Sequence, residues 1–201
     1  STLEKKGTKM IHVRTSTTDT KHATLAVTVT GSGKLLTPFL IFKGKTTGQI
    51  ATRELQTYPV ECICACQEKV WMDEVMMHKW IDLVLIPWKN SRDPGVIPVL
   101  ILDAYRFHMM GSVVNRIQSL GIEEIHIPVG CGYLCQPVDV GVNCPTKKAM
   151  TEQWEDWMTK GDGVDAGVAK MPLLQLVAEW DIGTYKSISQ ETDRNAWMKN
   201  N

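Results

Sequence analysis

The spacing of apolar positions changes along this chain, and each change predicts a different element. His22 to Thr30 (HATLAVTVT) alternates apolar and polar residues and is rich in β-branched side chains, the pattern of a half-buried strand. Gly31-Ser32-Gly33 supplies a turn, and Leu35 to Lys43 (LLTPFLIFK) returns as a second strand, so the two predict a hairpin. Lys9 to Thr15 is also strand-like. Lys43 to Thr57 is polar and reads as a loop, followed by a short strand through Cys62, Cys64 and Cys66. From Trp71 to Trp88 the spacing becomes that of an amphipathic helix, with Val75, Met76, Trp80, Leu83 and Val84 on its apolar side and Asp73 placed to cap its start.

Asn90 to Gly95 is a loop, and Val96 to Leu102 (VIPVLIL) is almost continuously apolar, as a strand buried on both faces should be. Met109 to Leu120 predicts a helix stopped by Gly121, and Ile122 to Val129 alternates into another strand. Gly130 to Val142 is a Gly/Pro/Cys-rich loop, after which Pro145 suits a helix's first turn and Ala149 to Met158 continues that helix. Lys160 to Lys170 reads as a flexible linker, and Leu173 to Trp180 and Gln190 to Lys199 as helices. Strands first, then strand–helix–strand–helix, predict an α/β fold: a mixed sheet with helices on both faces. No internal repeat is visible.

Composition narrows this picture without deciding it. The 22 Lys and Arg balance the 22 Asp and Glu, so the basic excess of a compact DNA-binding module is missing and any nucleic-acid contact must be local. No apolar run is long enough to span a membrane, and no signal peptide opens the chain. Cys62-Ile63-Cys64-Ala65-Cys66 puts three thiols on one face of a strand, too extended to chelate one ion easily. With Cys131, Cys135 and Cys144 they lack zinc-finger spacing and read as reduced, small apolar residues of an intracellular protein. The seven tryptophans, Trp154 and Trp157 among them, read as packing residues rather than base-stacking platforms.

Two acids stand out by position. Asp103 ends the apolar strand, where sites of such sheets gather, and Asp139 lies just ahead of a helix. Hard divalent cations want oxygen ligands, and magnesium commonly takes one or two protein carboxylates. Spacing alone does not single out this pair among 22 acidic residues. The flanking residues do. Val27 to Pro38 with Phe39 to Lys45, Val70-Trp71-Met72-Asp73-Glu74, Val99 to Asp103 with His108, Glu124 to Pro128, and Gln136 to Val142 occur in an order and spacing that resemble the catalytic domain of the DDE superfamily endonucleases. These are the mariner/pogo-type transposases and relatives such as centromere protein B and the jerky proteins. Leu134-Cys135-Gln136-Pro137-Val138-Asp139-Val140-Gly141 follows the family's Leu-Gln-Pro-hydrophobic-Asp-hydrophobic-Gly pattern with one cysteine inserted, and the resemblance covers roughly residues 9 to 158.

What the resemblance implies is a ribonuclease-H-like domain over 1–160, followed by a linker and C-terminal helical extension over 161–201. It also implies metal-dependent cleavage and strand transfer of DNA in the nucleus. The cofactor would be magnesium or manganese, the partner DNA (a homodimer on DNA being one arrangement), and no membrane is involved. Asp103 and Asp139 would be the second and third catalytic and metal-holding acids. The family's first acid would lie just before Ser1, on a first catalytic strand that is missing or truncated, so this chain by itself is expected to be inactive. Asp19, the nearest acid within the chain, reads as part of a loop. His108 could touch the scissile phosphate or pack locally; Arg106, Lys147 and Lys148 could grip DNA phosphates or simply be solvated. A domesticated or decayed copy that binds DNA or protein without cutting is the alternative.

Overall fold

The apolar segment around Phe39 organises the molecule. The computed structural model describes residues 23–132, 136–160, 164–165, 168–169 and 172–188. Strand β1 (Ala23–Ala26) pairs antiparallel with β2 (Phe39–Lys43), and β2 pairs in parallel with β3 (Ile63–Gln67), giving the order β1-β2-β3. The expected hairpin is present, but its returning arm is regular only from Phe39. Pro38 has no N–H to donate to a ladder, and before it only an isolated bridge joins Val29 to Leu35.

In β2 the side chains of Phe39, Leu40, Ile41 and Phe42 are all fully buried, because both faces of the strand are covered. Phe39 and Ile41 join one apolar cluster; Leu40 and Phe42 join another. Each such side chain contributes roughly 1.5–3 kcal/mol by leaving water. The second cluster takes in Tyr58, Cys62 and Cys66, with Cys64 partly buried against it, so the cysteine strand does present its thiols to one apolar face.

Lys43 to Thr57 departs from the expected loop. Ile50–Glu54 forms a wide π-helical turn and Leu55–Thr57 a 3-10 turn, and these carry the parallel crossover from β2 to β3. Ile50, Ala51 and Leu55 pack on the second cluster, while Thr52 Oγ1 and Gln56 Nε2 bond to backbone carbonyls one turn back. Three apolar residues in a polar stretch are too few to show a period.

The long helix is found as α1 (Glu74–Trp80), a π-helical turn over Ile81–Leu85, and α2 (Ile86–Asn90). Asp73 caps it, its Oδ1 accepting from the Met76 N–H at 3.0 Å. Pro87 cannot donate to the turn before it and crowds the carbonyl four residues back, and the wide turn over Ile81–Leu85 absorbs that disturbance. Met76, Met77, Trp80, Ile81, Val84 and Leu85 bury against Phe39 and Ile41.

Strand β4 (Val99–Asp103) pairs in parallel with β5 (Glu123–Ile127), and α3 (Gly111–Ser119) makes the crossover between them. Gly121, with φ of 70°, donates its N–H to the Gln118 carbonyl and ends α3 where the sequence placed its stop. Val138–Val142 is a π-helical turn leading directly into α4 (Asn143–Thr159). Residues of the expected linker pair as a short antiparallel hairpin, β6 (Val164–Asp165) with β7 (Val168–Ala169). Helix α5 (Leu174–Ser187) runs a turn and more beyond the expected Trp180. Leu174, Ala178 and Ile182 lay it on the Leu40/Phe42 face of the sheet, opposite α1. It also packs on α4: the Trp154, Trp157 and Trp180 rings follow one another at 5.5 and 6.1 Å, and Gln153 Nε2 donates to Thr184 Oγ1 at 2.8 Å. The fold is therefore mixed α/β, with helices on both faces of the three-stranded sheet. The expected strand at Lys9 to Thr15, Asp19, and the expected helix at Gln190 to Lys199 lie outside the described residues.

Candidate active site

Strand β4 ends at Asp103, and the chain then turns tightly through Tyr105 to His108. Parallel pairing with β5 carries the acid to the strand end, where 45% of its side chain remains exposed. Its Oδ1 lies 2.6 Å from His108 Nδ1 and accepts from the Tyr105 N–H at 3.4 Å. His108 is largely buried, with its ring edge-on to Tyr105 at 5.6 Å. His108 thus packs locally, and in doing so it braces Asp103.

Asp139 arrives from the other direction, in the π-helical turn ahead of α4 rather than in the expected loop. Its carboxylate is exposed and accepts from Asn143 Nδ2 at 2.5 Å, one turn further on. Gly132 makes room for it. A Cβ at that position would sit 2.9 Å from Asp139 Oδ2 and 3.3 Å from Gln136 Oε1. Gln136 and Pro137 stand at the start of this turn, and the Asp139 N–H donates to the Gln136 carbonyl at 3.0 Å.

Both acids line a single cavity of about 560 Å³, together with Tyr105, His108, Gln136 and Asn143. Its remaining wall comes largely from residues 24–32 and from β4 itself. Arg106 does not line the cavity but is exposed beside it, its guanidinium carbon 5.4 Å from the Trp71 ring and 4.4 Å from the Phe107 ring. Lys147 and Lys148 are exposed in the first turns of α4, and Lys148 Nζ lies 3.8 Å from Glu152, one turn along the helix. Neither lysine lines the cavity.

The donor set suits a hard cation: two carboxylates, with the carboxamides of Gln136 and Asn143 next to them. Among the described residues no group of three His, Cys, Asp or Glu side chains is placed to hold a metal. Gly132, Asn143 and Tyr105 are the residues that sequence reasoning missed. Asn143 stands four positions after Asp139, a spacing that matters only once the stretch is known to be helical.

The profile of the DDE superfamily endonucleases matches residues 20–197. A human protein described as "Pogo transposable element with KRAB domain" is 28% identical over 197 residues, covering 95% of this chain and 30% of that protein. Its mouse counterpart is also 28% identical over 197 residues, covering 95% of this chain and 31% of the mouse protein. A protein from Cochliobolus lunatus described as "MFS-type transporter clz9" is 22% identical over 132 residues, 66% of this chain and 14% of that protein. The chain thus spans under a third of the length of these relatives. Among the described residues no helix is long and apolar enough to cross a membrane. No solved structure matches the chain. With its profile matched over most of its length, and with Asp103 and Asp139 facing one cavity, the chain belongs to the DDE superfamily endonucleases and is similar to pogo transposable element proteins.

Proposed function

We propose that this chain is the core of a pogo-type transposase catalytic domain, which cuts DNA phosphodiesters and transfers the freed strand end. The observation that supports it best is the convergence of Asp103 and Asp139, from two separate structural units, on one cavity. Asp103 and Asp139 would hold magnesium or manganese, which when bound supplies an activated water and neutralises charge developing on the phosphate. The chain's own residues do the positioning on which phosphoryl transfer depends. His108 fixes the Asp103 carboxylate, Asn143 and the gap at Gly132 aim that of Asp139, and Arg106, Lys147 and Lys148 bind DNA phosphates. Acting on chromosomal DNA makes this a nuclear protein.

The sheet fits a ribonuclease-H-like arrangement in which β1-β2-β3 and β4-β5 are two parts of one whole. Strands β1 and β4 line the same cavity, and among the described residues neither is paired on its remaining edge. A first catalytic strand placed between them would join the two parts and add the third acid.

Nicking of plasmid DNA by the intact protein in magnesium tests this. Asp103→Asn and Asp139→Asn should each slow cleavage by about a hundredfold or more, since each removes several kcal/mol of charge stabilisation, and chelation of the metal should abolish it. Undiminished cleavage by either variant sinks the assignment. The second reading, a domesticated copy that binds without cutting, draws support from the similarity to the human and mouse proteins, whose descriptions join a pogo element to a KRAB domain. Tight DNA binding by the wild type with no metal-dependent nicking would establish it.

A further inference from the structure

Val70 adopts a φ of 61°, the left-handed region, where a β-branched side chain is crowded by its own backbone. Neighbours hold it there. Thr24 Oγ1 donates to the Val70 carbonyl at 2.7 Å, and the Val70 N–H donates to the Gln67 carbonyl at 3.2 Å. The next N–H, that of Trp71, donates to Gln67 Oε1 at 3.2 Å, while Gln67 Nε2 donates to Asp73 Oδ2 at 2.9 Å. Strained backbone persists only where surrounding contacts over-determine it, and such positions gather at functional sites. Here the consequence is local. Val70 is buried in the core, Trp71 is turned outward with half its surface exposed, and Met72 lines the cavity that holds Asp103 and Asp139.

An indole left half in water gives up stabilisation that burial would supply. What lies beside it is Arg106, three residues after Asp103. Its guanidinium stands over both the Trp71 and Phe107 rings, at 5.4 and 4.4 Å. No carboxylate of the described residues pairs with it. Aromatic rings therefore hold the guanidinium in place without neutralising it, leaving its donors for a phosphate. A half-exposed indole beside an unneutralised arginine is a combination that binds single-stranded nucleic acid: a base stacks on the ring, against the side the guanidinium leaves open, while the backbone meets the charge.

We infer that Trp71 and Arg106 form a stacking platform for an unpaired nucleobase of the DNA strand end being processed at Asp103 and Asp139. This rests on the transposase reading and adds to it a subsite for the nucleotide next to the cleaved phosphate. It also reverses the sequence expectation for one of the seven tryptophans.

The test uses the intact protein and two oligonucleotide duplexes, one blunt and one with a short 3′ single-stranded overhang carrying 2-aminopurine. Wild-type protein should quench the 2-aminopurine on binding. Trp71→Ala and Trp71→Leu should lose that quenching and bind the overhang roughly tenfold more weakly while binding the blunt duplex as before. Trp71→Phe, which keeps a planar ring, should retain most of the overhang affinity. The leucine variant preserves apolar bulk, so a loss it shares with alanine is a loss of stacking, and thermal melting confirms that each variant is folded. Equal quenching and equal overhang affinity in wild type and both non-aromatic variants overturns the platform and leaves the transposase reading intact. Failure of the wild type to bind either duplex overturns both.

Discussion

Gly132 decides how Asp139 can point. Its missing side chain leaves the space in which Asp139 Oδ2 sits, and an added Cβ would come within 2.9 Å of that oxygen. The displaced atom is the end of a side chain, so the fold can accommodate the change while the carboxylate cannot keep its aim. Gly132→Ala is therefore expected to leave the melting temperature nearly unchanged and lower metal-dependent nicking about tenfold or more, as an ångström of misplacement does at other reacting centres. Parallel melting and plasmid-nicking measurements check this; a wild-type nicking rate would show that Asp139 is not aimed through Gly132. At this scale the two acids are legible in the sequence itself, because each sits in a stretch of unusual character: a continuous apolar strand for Asp103 and a Gln-Pro-Val-Asp-Val-Gly run for Asp139. Gly132 and Asn143 are not legible there, since a glycine in a loop and an asparagine near a helix start carry no mark of what they touch.

Elements are read best where their period is long. The helix beginning at Glu74 announces its cap and part of its apolar side: Met76, Trp80 and Val84 are buried as expected, whereas Val75 and Leu83 are about half exposed and Met77, Ile81 and Leu85 are buried in addition. Asp73 accepts from the Met76 N–H and from Gln67 Nε2, tying the helix start to the end of β3. Asp73→Ala should cost about 1 kcal/mol from the cap alone, and somewhat more because Gln67 loses a partner, read as a lower denaturant midpoint with an unchanged slope. An unchanged midpoint would mean that the cap adds nothing to stability. Short or interrupted elements are hidden. The turns over Ile50–Glu54 and Leu55–Thr57 rest on three apolar residues docked against the sheet, and the helical turn holding Asp139 forms within a Gly/Pro-rich stretch whose local preferences favour a loop. In both cases packing overrides local propensity.

For the molecule as a whole, β2 is the shared wall of two apolar clusters, one closed by α1 and α3 and the other by α5. Docking α5 buries Asp181, and burial pushes its carboxyl from the ordinary 3.8 up to about 7. The folded chain therefore holds a proton that the unfolded chain has lost across that interval, so stability should fall as pH rises from about 4 to about 7 and level off above. Asp181→Asn should remove this slope and stabilise the protein at pH 8 by up to about 4 kcal/mol, a ceiling set by the size of the shift. Melting temperatures of wild type and variant between pH 4 and 8 check it, and parallel curves would exclude a buried, protonated Asp181. By itself the sequence determined the order and kind of the main elements, the apolar strand that delivers Asp103, the capped helix and the family, because periodicity, capping and motif are properties of neighbouring residues. Only the tertiary structure decided that Asp103 and Asp139 share a cavity, that Gly132 leaves room for one of them, that Trp71 is half exposed beside Arg106, and that Asp181 lies on the buried side of α5. Apart from Gly132 and Asp139, which a single turn brings together, these relations join residues far apart in the chain, and they exist only once burial of the two clusters has brought the elements together.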